Sequence, residues 1–397
     1  MPGDPTVEAL LAPATFTPLY GDWLGVREAA LAARFRALAG APARRVLLVN
    51  ATLGLPLYPS VVDFFALLQR AQPAVRVTSA SYFDTIYQLG DGVARKGLAV
   101  VAIADVAAWT TAEVNRFDVV LAVGPSDALA ALMARPGLTA RLVCLDLGFY
   151  HQLIESTAGA FLDDGPAGPP RAAGPAPPNG VTCYSCQPQR KVTRDLDRFF
   201  ALERFAWRWF NYIPVGFAYG AYYRSDRALF DVALLGSGGR SYADLDPAAL
   251  RGARCLFLGA PERAPGLARL RAALDVTVVP RVDEATYGRL LAACRCVVLP
   301  IAPASANVLL SVVDALASGK ALVTPRRDGL ARLEREGAPI VFYDGAADLS
   351  ATVGDLLRDA ARLDDLGART LAFAQAHMDI YGILETILRE QVLPDAP

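Results

Sequence analysis

Histidine occurs only twice, at His151 and His377, and no block of like charge and no apolar run of membrane-spanning length interrupts the chain. Each shortage excludes something. A zinc site needs four ligands at close spacing. Cys183-Tyr-Ser-Cys186 is a CxxC with no second pair and no nearby histidines, and it follows a proline-rich loop where a thioredoxin-like motif would follow a strand. Neither zinc nor redox chemistry is expected there. The other cysteines, Cys144, Cys255, Cys294 and Cys296, sit in or beside apolar runs and read as small core residues. Acidic and basic residues are interleaved and the formal net charge is −1, which leaves no footprint for nucleic acid. The longest apolar runs, such as LAVVAIADVAAW, fall short of the ~20 residues a membrane span needs. The start, MPGDPTVEALLAP, lacks the basic region and apolar core of a signal peptide. A cytoplasmic protein is expected, and a peripheral contact with the inner membrane surface stays compatible with that.

What is present is a globular composition, 53% hydrophobic and 20% charged over 397 residues, enough for two domains. After a leading helix near Trp23–Leu38, apolar strand-like runs alternate with helical ones: 44–51, 75–81, 98–104, 118–124 and 140–148 are strands with helices between several of them. Runs this apolar, alternating with helices, imply parallel strands covered on both faces. GPAGPPRAAGPAPPNG then breaks the pattern as a surface loop within an insertion over 163–190, and an aromatic helix is expected over Val192–Phe210. The alternation restarts at FDVALLG and continues to the end of the chain. The expected fold is α/β, with two doubly wound Rossmann-like domains facing a cleft. They span 1–213 and 214–375, and a C-terminal helix over 376–397 packs back on the first.

Two stretches of the second half suit an anion. LLGSGGR places Gly236, Gly238, Gly239 and Arg240 just after a strand, where backbone N–H groups and a guanidinium approach a phosphate closely. The other reading is a flexible turn with a surface arginine. The helix Asn307–Ser318 has an apolar face of Val308, Leu309, Val312, Val313, Leu316 and Ala317, with Asn307, Ser311, Asp314 and Ser318 on the other side. Ser305 or Asn307 caps its start, where free N–H groups suit a diphosphate, and Asp314, two turns in, suits ribose hydroxyls. Alternatively the polar strip is simply solvated. Arg281, after the strand Asp275–Pro280, is a further cation. His151, in GFYHQL after a strand, is either an acceptor-side base or a structural histidine. The DxD strings Asp195-Leu-Asp197 and Asp244-Leu-Asp246 read as surface carboxylates or caps.

In order and spacing, the second half resembles the nucleotide-binding half of GT-B-type glycosyltransferases, in particular the large retaining family (glycosyl transferase group 1) that uses nucleotide-diphosphate sugars. NYIPVGFAYGAYY resembles that family's linker and DVALLGSGGR its opening strand and glycine turn. DVTVVPRVDEATYGRLLAACRCVVLPI and SVVDALASGKALVTPRRDGLARL resemble its later strand–helix units, and AQAHMDIYGILETILREQV its closing segment. The resemblance covers roughly Asn211–Val392. It implies a sugar transferred from a nucleotide-diphosphate donor to an acceptor glycan or small molecule, without metal or cofactor and with retained configuration. Surface glycan or glycoconjugate biosynthesis is the setting it suggests. It puts Asp314 at the ribose-binding glutamate, and Gly236–Arg240, Arg281 and Ser305–Asn307 around the diphosphate. Two departures stand out: the sugar-facing glutamate is Ala306, and Leu245 lies near the family's phosphate lysine. A non-catalytic homologue acting as partner or scaffold is therefore the rival, with a nucleotide-sugar epimerase ranked after it.

Overall fold

The computed structural model describes residues 6–38, 43–50, 57–81, 93–124, 127–146, 178–185, 205–209, 219–236, 240–280, 282–301, 310–327 and 330–394. The chain packs into two compact units: Asp22–Ala218 with Asp379–Pro397, and Met1–Gly21 with Tyr219–Met378. In chain order, a short strand β1 (Phe16–Pro18) precedes helix α1 (Gly21–Ala37).

The first of these units is built on seven strands: β2 (Arg44–Asn50), β3 (Val75–Ser81), β4 (Ala99–Ala102), β5 (Val119–Val123), β6 (Arg141–Asp146), β7 (Val181–Ser185) and β8 (Phe205–Trp209). They lie in the order β4-β3-β2-β5-β6-β7-β8, every pair parallel. Parallel strands need crossovers, and α2 (Leu57–Ala71) supplies the one from β2 to β3. Every residue of the central β5 is buried, as a sheet covered on both faces requires.

Two expectations from the sequence are corrected here. Val181–Ser185, placed in the insertion over 163–190, is a strand of the main sheet, with Cys183 buried and paired in register with Cys144. Residues 205–209, placed in an aromatic helix, are strand β8, in register with β7 from Val181↔Phe205 to Ser185↔Trp209. The reason is periodicity: Phe205, Trp207 and Trp209 recur every second residue, the period of a strand. The rest of the expected aromatic helix lies outside the described residues.

The chain end joins this unit through ions and hydrogen bonds. Arg27 of α1 donates to Asp379 at 2.6 Å and to Glu385 at 2.9 Å, and Arg34 reaches Glu385 at 2.7 Å. Beyond the helix Ile380–Ile387, a π-turn over Leu388–Val392 offers its carbonyls to arginines of the sheet. Arg44 donates to Val392 O and Arg141 to Gln391 O, while Tyr184 donates to Glu390.

The second unit carries β9 (Tyr223–Ser225), β10 (Phe230–Gly236), β11 (Cys255–Gly259), β12 (Val276–Val279), β13 (Cys294–Val298), β14 (Ala321–Pro325) and β15 (Ile340–Tyr343). Six of these form a parallel sheet in the order β12-β11-β10-β13-β14-β15. This is the doubly wound Rossmann order, whose direction reverses between β10 and β13. Ligands of such sheets bind outside the carboxyl ends of the strands at that reversal.

The first residues of the chain belong with this six-stranded unit, where the sequence reading had placed them in a domain over 1–213. β1 pairs antiparallel with β9, Phe16 opposite Ser225, and the Tyr20 hydroxyl donates to Ala317 O at 2.7 Å. The pairing needs no hydrophobic period of its own, so nothing in the sequence of that segment announced it.

Candidate functional site: the carboxyl edge of the six-stranded sheet

The carboxyl end of β10 is closely packed. Gly236 is required there by packing: a Cβ on it would lie 2.0 Å from Cζ of Phe257. Arg240 makes an antiparallel bridge with Ile301, Ser241 N donates to Pro300 O, and Tyr242 N donates to Pro265 O. The Tyr242 ring is fully buried, and its hydroxyl donates to Leu235 O at 2.9 Å. These contacts hold Arg240 at the reversal of strand order, between the ends of β10 and β13.

Helix α3 (Glu284–Ala292) starts from Asp283, whose carboxylate accepts from Thr286 N and Thr286 Oγ1. Helix α4 (Leu310–Ala317) fills the crossover from β13 to β14. It ends at Gly319, φ +64°, where Lys320 N donates back to Ala315 O, a left-handed cap that glycine adopts without strain. The apolar residues Val312, Val313 and Leu316 are buried, as the sequence predicted.

The polar strip of α4 is not simply solvated. Ser311 is buried and accepts from Arg240 Nη2 at 2.6 Å. One turn on, each oxygen of the Asp314 carboxylate accepts a phenol: Tyr222 donates to Oδ1 at 2.9 Å and Tyr287 to Oδ2 at 3.3 Å. Burial, and then the Asp314 charge, push both phenols well above the usual tyrosine value, so they stay protonated and donate.

Arg240 is the other pole of the cluster. Its side chain is 8% exposed, and its Nε has no hydrogen-bond partner. Among the described residues no carboxylate forms an ion pair with it. Burial depresses its pKa. A buried guanidinium without an anion carries a desolvation penalty that natural structures rarely leave uncompensated.

Of the residues expected at the site, the structure thus brings Arg240, through Ser311, to the helix that carries Asp314 and its two tyrosines, with Gly236 at the end of β10. His151, Gly238, Gly239, Arg281, Ser305 and Asn307 lie outside the described residues, as does Cys186. Leu245 is fully buried in the core. Asp246 caps the turn Pro247–Leu250 by accepting from Ala248 N, as read from the sequence. His377 ends the helix Ala360–His377 and stacks on Phe373. Among the described residues no group of three or more His, Cys, Asp or Glu could hold a metal ion, and no helix is long and apolar enough to cross a membrane.

Sequence reasoning missed Tyr222, Tyr287 and Arg327. Arg327 follows β14, is 7% exposed, and adds a second buried cation at the carboxyl edge. The dipeptide Arg326-Arg327 directly after the strand ALVTP was the available signal. A separate groove of about 460 Å³ lies at the opposite edge of the sheet, lined by Arg295, Lys320 and Asp364 among others. Its cations answer helix carbonyls: Lys320 donates to Ala292 O and Arg295 to Ala360 O. Burial pushes the Lys320 amine down to about 8. The buried polar cluster of Arg240, Ser311 and Asp314 lies at the other end of the strands.

This arrangement defines a class. Two doubly wound parallel sheets are the fold of GT-B glycosyltransferases, and solved structures show that fold across the chain. A glycosyltransferase from Rickettsia africae matches with a TM-score of 0.54 and 10% identity, over 87% of this chain and 98% of that one. HepE from Anabaena, solved with UDP and glucose, matches with a TM-score of 0.53 and 14% identity, over 87% and 99%. Sucrose-phosphate synthase from Thermosynechococcus elongatus gives 0.51 and 14%, over 87% and 99%. Residues 243–389 match the family model described as glycosyl transferase-like, which contains Asp314 and Tyr287. Among curated proteins none matches the chain in sequence.

Proposed function

We propose that the protein transfers a sugar from a nucleotide-diphosphate donor, held by the six-stranded unit, to a glycan or small-molecule acceptor. The observation that carries this is Arg240: a buried guanidinium at the strand reversal, bonded to Ser311, with an unpartnered Nε and, among the described residues, no carboxylate in ion-pair contact. A diphosphate supplies the missing anion. As the donor bond breaks, negative charge grows on the leaving diphosphate, and a pre-set cation in a water-poor site stabilises that charge more than the ground state. Asp314 takes the ribose hydroxyls. UDP in the HepE structure, in a protein of the same fold, supports a uridine donor as the first to test.

Isothermal titration with UDP, GDP and their sugar conjugates tests the reading. Binding at micromolar to millimolar Kd is expected, and an Arg240→Met variant should lose most of it. No binding at millimolar ligand would refute a donor site. One observation favours a second reading, a non-catalytic homologue. Leu245, near the position where the resemblance expects a phosphate lysine, is locked in the core at 0% exposure, and Ala306 has no carboxylate to face the sugar. Donor binding without any hydrolysis or transfer of a bound UDP-sugar would decide for that reading.

A further inference from the structure

The Asp314 carboxylate is gripped by two phenols from separate segments. We infer that Tyr222 and Tyr287 are positioning residues that set the ribose specificity of this site, by fixing the plane of the Asp314 carboxylate for the neighbouring 2′- and 3′-hydroxyls of a bound nucleotide. The inference rests on the donor reading above.

Aspartate is a methylene shorter than glutamate and reaches less far from α4. The torsion that turns its carboxylate plane is broad, so an unrestrained carboxylate samples many orientations. Here one hydroxyl lies on each oxygen, Tyr222 on Oδ1 and Tyr287 on Oδ2, which removes that freedom. A carboxylate accepts about four hydrogen bonds, so two phenols do not by themselves exhaust it. A diol presented to a fixed carboxylate plane bonds one hydroxyl per oxygen without an orientational penalty.

Both phenols are themselves held. Tyr222 is 5% exposed, its carbonyl accepts from Leu19 N, and its ring meets Tyr20 edge-on at 6.1 Å. Tyr20 in turn donates to Ala317 O at the end of α4, so the N-terminal segment ties one phenol to the helix that carries Asp314. Tyr287 lies in the first turns of α3, whose start is fixed by the Asp283 cap. The nearby Arg240 adds its positive charge to the same cluster, and burial keeps both phenols protonated beside it.

The test uses UDP and GDP, each beside its 2′,3′-dideoxy form, titrated into the wild type, Tyr222→Phe, Tyr287→Phe and the double variant. The ratio of ribo to dideoxy affinity is read within each protein, so partial loss of folded material affects both ligands alike. The wild type should prefer the ribonucleotide. Each Phe variant should lose roughly tenfold of that preference, and the double variant nearly all of it, while dideoxy binding changes little. Phe variants that weaken ribo and dideoxy ligands equally, or that keep the wild-type ratio, overturn the positioning role and leave the donor site standing. A wild type that binds none of the four nucleotides overturns the donor reading and this inference together.

Discussion

The two sheets share one pattern of strand order, and an arginine of each unit is placed differently, Arg27 in one and Arg240 in the other. In the seven-stranded unit the cations have protein partners: Arg27 and Arg34 meet Asp379 and Glu385, Lys96 meets Asp63, and Arg44 and Arg141 donate to carbonyls of the C-terminal turn. In the six-stranded unit Arg240 is more deeply buried than Arg27, yet among the described residues its side chain bonds one hydroxyl and no carboxylate makes an ion pair with it, the Asp314 charge acting only from a distance. The first arrangement staples a chain end to a sheet. The second leaves a buried guanidinium without an ion-pair partner among the described residues.

Substitutions at the two kinds of arginine should therefore separate binding from stability. Arg240→Met should weaken UDP binding about 100-fold, corresponding to about 2.7 kcal/mol of charge-assisted hydrogen bonding. Thermal stability should hold or rise slightly, because an uncompensated buried cation has been removed. Arg27→Met should do the reverse, losing about 1–2 kcal/mol in denaturant unfolding with UDP affinity unchanged, since it takes the guanidinium from partly buried Asp379 and leaves Glu385 with Arg34. If both variants lost stability and neither lost binding, the contrast would collapse.

Asp314→Asn comes next in size. An amide accepts more weakly than a carboxylate, and the variant should lose about tenfold in UDP affinity while dideoxy-UDP is bound as before. Smallest is the effect of pH. The Tyr222 and Tyr287 phenols are pushed above the ordinary value near 10, so folding favours their protonated forms. Their contribution is complete below about pH 10 and is lost as pH rises toward the folded values. Melting temperature and ribo/dideoxy preference should both stay flat from about pH 6 to 9 in this respect and fall only above 10.

Much of this was legible beforehand. The apolar runs of the second half anticipated the strands of its sheet, and the resemblance to GT-B transferases assigned Arg240 and Asp314 to one donor site. What escaped had physical reasons. β8 carries three aromatics at a period of two, and in a stretch that also holds helix-compatible residues the aromatic content concealed the period. β7 sits behind a proline-rich loop, which reads as the end of regular structure though the chain re-enters the sheet. The polar strip of α4 has the spacing of a solvated face. Only tertiary contacts bring Tyr222, from the segment after the first sheet, and Tyr287, from α3, onto it. Nor does local pattern show that Phe16–Pro18 pairs with Tyr223–Ser225, more than 200 residues away along the chain.

The central claim is that Arg240 awaits a diphosphate. A crystal structure of the protein with UDP tests it most directly: a diphosphate oxygen should lie within about 3 Å of Arg240 Nε, with the ribose against Asp314. UDP bound elsewhere on the molecule, with Arg240 still bonded to Ser311 alone, would contradict it.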